Sequence, residues 1–243
     1  LGFNNQTTVI NLLDHTKRTY DMDAIHYLKE HFPKLELDLP LPFPGGAIGY
    51  IGYDTVRTIE PIGEEQHDEL KMPDVHLMIY DELIIYEHTT ESVYLLVINR
   101  NNDPESILDT RLKSLKKRLS GRTDIQSLDI PNIQFEDEMS EATFKEKVIQ
   151  AKAYIEKGEA EQIVLSKRMK APIHGDPLAY YRQLRLANPS PYMFYIDFSD
   201  YLIIGVSPES LVQTTNQHVV TNPIAGTRRR GRSPEEDLAL MKE

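Results

Sequence analysis

Residues 218–232 combine groups that bind carboxylates with groups that shape the backbone. They read HVVTNPIAGTRRRGR, so four arginines fall within five residues directly after a Pro-Ile-Ala-Gly-Thr turn. Gly226 lets a ligand approach the backbone closely, and Thr227 offers a hydroxyl and an amide N–H. Guanidinium groups bind carboxylates through paired hydrogen bonds. The segment is therefore either an anion site or a basic loop whose arginines pair with local acids, for example Glu235 and Glu236, and the spacing favours neither.

A second segment, residues 188–195 (NPSPYMFY), presents large side chains directly after a rigid turn. Pro191 fixes the backbone just before Tyr192, Met193 and Phe194. Such a cluster suits either a pocket for an aromatic ligand or a strand that enters the core. The segment alone leaves both interpretations open.

Several other kinds of site are excluded or disfavoured. The chain has no cysteine, which excludes disulfides, thiolate zinc sites and a cysteine nucleophile. Its eight histidines form no HExxH pair or other close pair at metal-ligand spacing. The glycines of residues 45–54 (GGAIGYIGYD) match neither the dinucleotide fingerprint nor the nucleotide loop, which favours a structural role. Residues 205–210 (GVSPES) lack the second glycine of a nucleophile elbow, and Pro208 follows Ser207 where a helix would begin.

The overall charge and hydropathy indicate which partners and locations the protein could have. A net charge of −11, from 38 acidic and 27 basic residues, repels polyanions and disfavours nucleic acid or an anionic membrane as a partner. The sequence contains no run of eighteen apolar residues and begins with no signal-like segment. We therefore expect a soluble, cytoplasmic protein. Because the chain begins at Leu1 and ends at Glu243 inside a helix-like stretch, we also expect a fragment.

The helices and strands that position these segments are predicted from the spacing of apolar residues along the sequence. Apolar spacing and capping residues predict helices over 21–32, 104–120, 140–157 and 176–188, and residues 233–243 begin to resemble a helix. The helix over 140–157 is predicted to have one apolar face, formed by Phe144, Val148, Ala151, Tyr154 and Ile155. Residues 45–54 read as a strand that bends or is closely approached by another backbone. Further strands are predicted over 75–88, 92–99, 161–169, 192–197, 201–206, 210–215 and 218–222. Of these, the strand over 161–169 is predicted to be buried. Because most strands look hairpin-connected, the pattern predicts an α+β fold with large antiparallel sheets.

Five motifs occur in order along nearly the whole chain: GGAIGYIGYD, EQIVLSKR, NPSPYMFY, GVSPES and PIAGTRRRG. Together they resemble the chorismate-utilising enzymes, and specifically the large, synthase subunit of anthranilate synthase. The resemblance implies a sandwich of two large antiparallel sheets flanked by helices, here truncated. It also implies two regions: 1–136, an N-terminal region incomplete at its start, and 137–243, the first part of the chorismate-binding domain.

The resemblance implies that Gly226 and Thr227 line a chorismate site, together with Ala225 and Gln162. It leaves open whether Arg228, Arg229 and Arg230 touch the substrate or only stabilise the turn. By the same resemblance, the catalytic histidine and the carboxylates that bind magnesium come after Glu243. This chain would then contain no catalytic or metal-binding residue, and we expect it to be inactive alone.

Two further positions distinguish members of the family. Aminodeoxychorismate synthases carry a lysine nucleophile where this chain has Ala225, and a methyl group cannot attack the ring. Isochorismate and salicylate synthases place a lysine base where this chain has Gln162, and an amide has no basic site at neutral pH. Lys167 would fill that role only in a shifted alignment, and its odd-numbered separation from Gln162 points it to the opposite face of a strand.

The implied reaction is addition of ammonia at C2 of chorismate with loss of the C4 hydroxyl, followed by elimination of pyruvate to give anthranilate. Mg²⁺ would bind the ring carboxylate, and a separate glutamine amidotransferase would supply the ammonia. Residues 188–195 resemble the tryptophan feedback site of the family, with Pro191, Tyr192 and Met193 as inhibitor-binding residues and Asn188 and Phe194 beside them. Two alternatives remain: aminodeoxychorismate synthase or another chorismate enzyme, and a non-catalytic tryptophan-sensing or docking module.

Overall fold

The structure is a computed structural model of the 243-residue chain. It describes residues 1–32, 39, 41, 43–63, 68–121, 133–215, 217–224, 226 and 228–242. The chain forms two compact units, Leu1–Asp124 and Ile125–Glu243, and each has its own helices and strands. The predicted regions 1–136 and 137–243 refer to the resembled family and stay a prediction.

The first unit contains a five-stranded antiparallel sheet in the order β3-β2-β1-β5-β4. Its strands are β1 (Gly2–Phe3), β2 (Gln6–Ile10), β3 (Lys17–Tyr20), β4 (Gly46–Ile51) and β5 (Val75–Tyr80). At Gly49 of β4, an added Cβ would lie 1.9 Å from the carbonyl oxygen of His76 on β5. The prediction that another backbone approaches this glycine-rich strand closely is confirmed.

The rest of the first unit consists of short helices and a hairpin. Its elements are α1 (Ala24–His31), a 3₁₀ helix (Tyr53–Thr58), β6 (Glu82–Glu87), β7 (Ser92–Val97) and α2 (Glu105–Leu119). The side chain of Asp23 caps α1 by accepting from the N–H groups of Ile25 and His26. Leu115 of α2 is 2% exposed, and α2 packs beside β7. Burial of this apolar side chain therefore attaches α2 to the unit.

The described residues of the second unit form three helices and three two-stranded antiparallel ladders. Its elements are β8 (Glu136–Asp137), α3 (Glu141–Glu156), β9 (Met169–Lys170), α4 (Pro177–Ala187), β10 (Tyr192–Asp197), β11 (Leu202–Ser207), β12 (Gln213–Thr215), β13 (His218–Val220) and α5 (Pro234–Lys242). The pairs are β8–β9, β10–β11 and β12–β13. The α+β class with antiparallel strands is confirmed, as are the predicted helices.

One predicted strand is wrong. Of residues 161–169, only Met169 enters a ladder, where it pairs with Asp137 of β8. Val164 is 84% exposed, so the segment is neither regular nor buried. A β-branched apolar run becomes a strand only when a neighbouring strand accepts its backbone hydrogen bonds, and among the described residues β8 does so for two residues.

Helix α3 begins as predicted but packs less than predicted. The Ser140 hydroxyl accepts the N–H of Thr143, and Gly158 after the helix has φ +75°, the left-handed conformation of a helix end. Tyr154 and Ile155, at the end of the predicted apolar face, are exposed. No residue of α3 is buried, so the local capping signals rather than burial explain where this helix begins and ends.

Candidate functional site

The arginine-rich segment follows the β12–β13 hairpin, and we call residues 221–232 the arginine turn. Its first part is bound to the segment between β11 and β12. The hydroxyl of Thr221 donates to the carbonyl of Leu211 at 3.1 Å. The N–H of Ile224 donates to Oε1 of Glu209 at 2.9 Å. A carboxylate of the GVSPES motif thus fixes the backbone two residues before Gly226.

Asp237, on the first turn of α5, binds the other end of the arginine turn. Its Oδ1 accepts the N–H of Gly231 at 2.5 Å, and its Oδ2 accepts from Nη1 of Arg230 at 2.7 Å. An added Cβ on Gly231 would lie 2.3 Å from the backbone nitrogen of Asp237. Only a glycine fits this approach, because the atoms it would meet belong to helix backbone.

Glu236, the preceding residue of α5, makes the equivalent pair of contacts. Its Oε2 accepts the N–H of Arg232 at 2.7 Å, and its Oε1 accepts from Nη2 of Arg229 at 3.0 Å. The sequence alternative of arginines pairing with local acids named Glu235 and Glu236. The structure confirms Glu236, which pairs with Arg229, whereas Arg230 pairs with Asp237 rather than with Glu235.

The N-terminal end of α5 stabilises the ionised form of the acids that lie there. Glu235, Glu236 and Asp237 all lie in its first turn, where the helix dipole stabilises negative charge. The Gly231 N–H, followed by the Arg230 guanidinium, holds the pKa of Asp237 below its ordinary value. The pKa of Glu235 is also lowered, first by its own backbone N–H and then by the Ser233 hydroxyl.

The NPSPYMFY segment forms the end of α4 and the strand β10. In a strand, alternate side chains point to opposite faces, so Tyr192 and Phe194 share one face and Met193 lies on the other. Tyr195 shares the face of Met193, and its ring lies 5.7 Å from that of Tyr181 on α4. Tyr192 and Phe194 remain exposed on the face away from this contact.

Phe194 packs over a glycine of the neighbouring strand. It pairs with Gly205 of β11, and an added Cβ on Gly205 would lie 2.2 Å from Cζ of the Phe194 ring. The absence of a side chain at Gly205 therefore leaves the space that the ring occupies. An apolar surface of this kind suits contact with an aromatic ligand.

The family described as chorismate binding enzyme matches residues 3–243 of this chain. The chain belongs to the chorismate-binding enzyme family. Anthranilate synthase component 1 of Lactococcus lactis subsp. lactis (strain IL1403) is 39% identical to it over 209 residues, which cover 85% of this chain and 46% of that protein. Anthranilate synthase component 1 of Acetivibrio thermocellus is 36% identical over 255 residues, which cover 97% of this chain and 51% of that protein.

A solved structure agrees with these sequence matches. The crystal structure of anthranilate synthase component I from Streptococcus pneumoniae TIGR4 has a TM-score of 0.80 and 32% sequence identity, and the match covers 100% of this chain and 55% of that chain. The resemblance to anthranilate synthase component I is confirmed, and with it the fold class. The chain spans about half the length of the curated relatives it matches.

The residues expected to bind chorismate in this family are only partly described. Among the described residues, Gly226 faces open space, since an added Cβ would meet none of their atoms within 4 Å. Ala225 and Thr227 lie outside the described residues, and their roles stay predictions. Gln162 is exposed in the irregular segment before β9. Lys167, the alternative base, has Nζ 2.8 Å from Oδ1 of Asp137, which is its partner in a surface ion pair.

The residues expected to bind tryptophan are not all on one surface. Asn188 ends α4, where its N–H donates to the carbonyl of Leu184, and Pro191 is exposed just before β10. Met193 lies on the opposite strand face from Tyr192 and Phe194. The structure therefore groups Tyr192 with Phe194 and separates Met193 from them.

Glu209 is the site residue that the sequence interpretation missed. The sequence excludes a nucleophile elbow at the GVSPES motif and includes this motif in the family resemblance, but it gives Glu209 no role. One sequence signal could have indicated Glu209: it is an acid shortly after a predicted strand, within a motif of the family resemblance. The distance between Glu209 and Ile224 in the sequence does not predict that the two residues meet. The contact forms because β11 and the arginine turn meet after a hairpin.

Metal and membrane sites receive no support from the described ranges. Within them, no group of three or more histidine or acidic side chains is arranged to hold a metal ion. None of the helices in these ranges is both long and apolar enough to cross a bilayer. Because the described side chains offer no Mg²⁺ site, no step involving the metal follows from them.

Proposed function

We propose that this chain is part of the synthase subunit of an anthranilate synthase that converts chorismate and ammonia to anthranilate and pyruvate. The observation that carries the proposal is the arginine turn, whose backbone is bound by Glu209 at one end and by Glu236 and Asp237 at the other. Binding a dianion such as chorismate requires donors whose positions are fixed before the ligand arrives. The relatives named anthranilate synthase component 1 support this choice within the family.

Two side-chain identities support ammonia as the nucleophile. Ala225 carries no amine, so the turn has no nucleophile of its own at that position. Gln162 carries no basic group that would activate water. Lys167, the alternative base, is held in a surface ion pair with Asp137. Ammonia that enters the site from outside the turn is therefore the nucleophile in the proposed reaction.

The supply of ammonia and the regulation belong to the same proposal. Ammonia comes from glutamine through a separate amidotransferase subunit, as the family resemblance implies. The 243 residues themselves contain no cysteine that could serve as the thiol nucleophile for glutamine hydrolysis. Tryptophan inhibits by binding near Tyr192 and Phe194, whose exposed aromatic surface suits an indole. Mg²⁺ and a cytoplasmic location are proposed from the family resemblance.

The 243-residue chain alone is proposed to be inactive, because it corresponds to about half of its curated relatives. The test is to express the complete reading frame and, separately, the 243-residue chain, and to incubate each with chorismate, Mg²⁺ and ammonium. The products are identified by mass, with and without tryptophan. Glu141→Gln on the exposed face of α3 is the control variant, since its ion pair with Lys145 is a surface contact.

We expect anthranilate and pyruvate from the complete protein only, with less product when tryptophan is added. Aminodeoxychorismate or isochorismate as the product would contradict the assignments of Ala225 and Gln162. A folded, complete protein that turns over no chorismate would favour a sensing or docking module. Anthranilate from the 243-residue chain alone would contradict the proposed division of the active site.

A further inference from the structure

Asp237 uses both carboxylate oxygens on the arginine turn. One oxygen accepts a backbone N–H from Gly231 and the other accepts from the guanidinium of Arg230. Arg230 is 89% exposed at its side chain, whereas Asp237 is 29% exposed. An exposed ion pair contributes little, so the better-shielded bond to the Gly231 N–H is the contact that fixes the backbone.

Glu236 repeats the arrangement one residue earlier. It accepts the backbone N–H of Arg232 and pairs with the guanidinium of Arg229. Two acids of one helix turn thus bind two consecutive N–H groups and pair with two arginines. Both pairs are made within the chain, so each guanidinium already has a carboxylate partner without any substrate.

The close approach of Gly231 to α5 makes this end of the turn a fixed point. An added Cβ there would meet the Asp237 nitrogen at 2.3 Å and the Glu236 carbonyl carbon at 2.8 Å. At the other end, Glu209 binds the N–H of Ile224. Only residues 225–230 lie between the two fixed points, and this short span contains Gly226 and Thr227.

We propose that Asp237 is a positioning residue for the chorismate-binding turn, and that Arg229 and Arg230 attach the turn to α5 rather than bind the carboxylates of the substrate. The proposal rests on the proposed function for the identity of the ligand. It assigns the arginine run to shaping the site, and it leaves the contacts with substrate to the backbone and hydroxyl donors of residues 225–227. The acids of α5 act on the substrate only through the turn.

The first experiment measures how fast trypsin cleaves the arginine turn of the 243-residue chain in the absence of substrate. Trypsin cleaves after arginine, so the cleavage rate within residues 228–232 reports how often the turn leaves α5. We expect Asp237→Ala to accelerate cleavage by about fivefold or more, which corresponds to the loss of one hydrogen bond. Asp237→Asn keeps an oxygen that accepts the Gly231 N–H and should restore most of the protection. Glu141→Gln should cleave like the unchanged chain.

The second experiment is a double-mutant cycle on the complete reading frame, assayed with chorismate and ammonium. We expect Asp237→Ala to raise KM for chorismate with a smaller change in kcat, and Asp237→Asn to recover part of the loss. Arg230→Gln should change KM by less than about threefold, as for an exposed ion pair, and should add nothing in the Asp237→Asn background.

The outcomes separate this proposal from the proposed function. A KM raised tenfold or more by Arg230→Gln in both backgrounds would overturn the proposal, because the guanidinium would then act on the substrate. Unchanged trypsin cleavage in Asp237→Ala would overturn the attachment to α5. If the unchanged complete protein turns over no chorismate, the proposed function fails, and the cleavage rates still decide whether Asp237 fixes the turn.

Discussion

The ring of Phe194 on β10 covers Gly205 on β11, in the space where a side chain of residue 205 would lie. Cζ of the ring is 2.2 Å from the position of an added Cβ. The two residues are partners in an antiparallel ladder, and aromatic rings commonly cover glycine across such a pair. This pairing sets the orientation of the exposed aromatic surface that we associate with tryptophan.

Gly205→Ala is expected to weaken inhibition by tryptophan while the hairpin stays formed. The atoms that the new methyl group meets are the far end of a ring, which can rotate away without moving the backbone. A displaced ring changes the shape of the exposed aromatic surface by about one methyl group, and such a change alters binding about tenfold. Tryptophan titration of the proposed anthranilate synthase activity of the complete protein measures the shift.

The matched control for this prediction is Gly121→Ala, at the end of α2. A Cβ at Gly121 meets only the carbonyl oxygen of Arg118, at an ordinary 3.6 Å. Neither activity nor tryptophan inhibition should change in this control. Unaltered tryptophan inhibition in Gly205→Ala would show that the Phe194 ring is not part of the inhibitor site.

Gly49→Ala is expected to destabilise the first unit. Here the added Cβ would lie 1.9 Å from the carbonyl oxygen of His76 and 2.9 Å from Cα of Leu77, and both atoms belong to the backbone of β5. Unlike the Phe194 ring, a paired strand cannot move aside without breaking ladder hydrogen bonds. Overpacking of this kind costs about 1–3 kcal/mol of the free energy of unfolding. Urea denaturation measures it, with Gly121→Ala again as the control, and an unchanged midpoint would contradict the close approach.

Helix ends were predictable from the sequence because their causes are local. Ser140, Asp23 and Asp176 each accept N–H groups within three residues of themselves, and the corresponding helices form as predicted. The close approach at Gly49 was also predictable, since a strand rich in glycine indicates a neighbouring backbone. These features depend on residues that are close in sequence or on the residue type itself.

Features that depend on a distant partner were not predictable. The strand over 161–169 failed because its apolar residues do not specify which strand would pair with them. Of the two acids named from the sequence, Glu236 pairs with Arg229, but Arg230 pairs with Asp237, because the choice depends on where the turn meets α5. The contact between Glu209 and Ile224 joins two motifs separated by a whole hairpin.

Arg111→Lys is expected to loosen the attachment of α2 to the β6–β7 hairpin. Nε of Arg111 donates to Oε1 of Glu82 at 2.7 Å, and Nη2 lies 3.2 Å from Oδ2 of Asp81. These two acids raise the pKa of Arg111, and the largest cause is the hydrogen bond that Arg111 donates to Glu82. A lysine ammonium cannot reach both acids in the geometry of a planar guanidinium. Because the acids are partly exposed, the loss should be about 1 kcal/mol.

Urea denaturation of the 243-residue chain measures this change, and Arg118→Lys on the same helix is the matched control. Arg118 is exposed in the last turn of α2, so its replacement should leave the midpoint unchanged. Added salt should reduce the difference between Arg111→Lys and the unchanged chain, since screening weakens partly exposed pairs. Equal midpoints for the two variants would mean that the Arg111 contacts contribute nothing to stability.

The attachment of the arginine turn to α5 should weaken in acid, and the sign follows from the pKa of Asp237. The Gly231 N–H and the Arg230 guanidinium lower this pKa in the folded chain, whereas an unfolded Asp titrates near about 3.9. A group with a lowered folded pKa contributes stability that is present above the unfolded pKa and is lost as pH falls through the folded pKa. The attachment should therefore be complete above about pH 4 and should weaken below it.

The ¹H–¹⁵N shift of the Gly231 amide measures this change. It should titrate with a midpoint below 3.9, and this transition should disappear in Asp237→Asn. A midpoint at or above 3.9 would contradict the hydrogen bond, because an acceptor that binds an N–H and a guanidinium must hold its charge to lower pH than a free carboxylate.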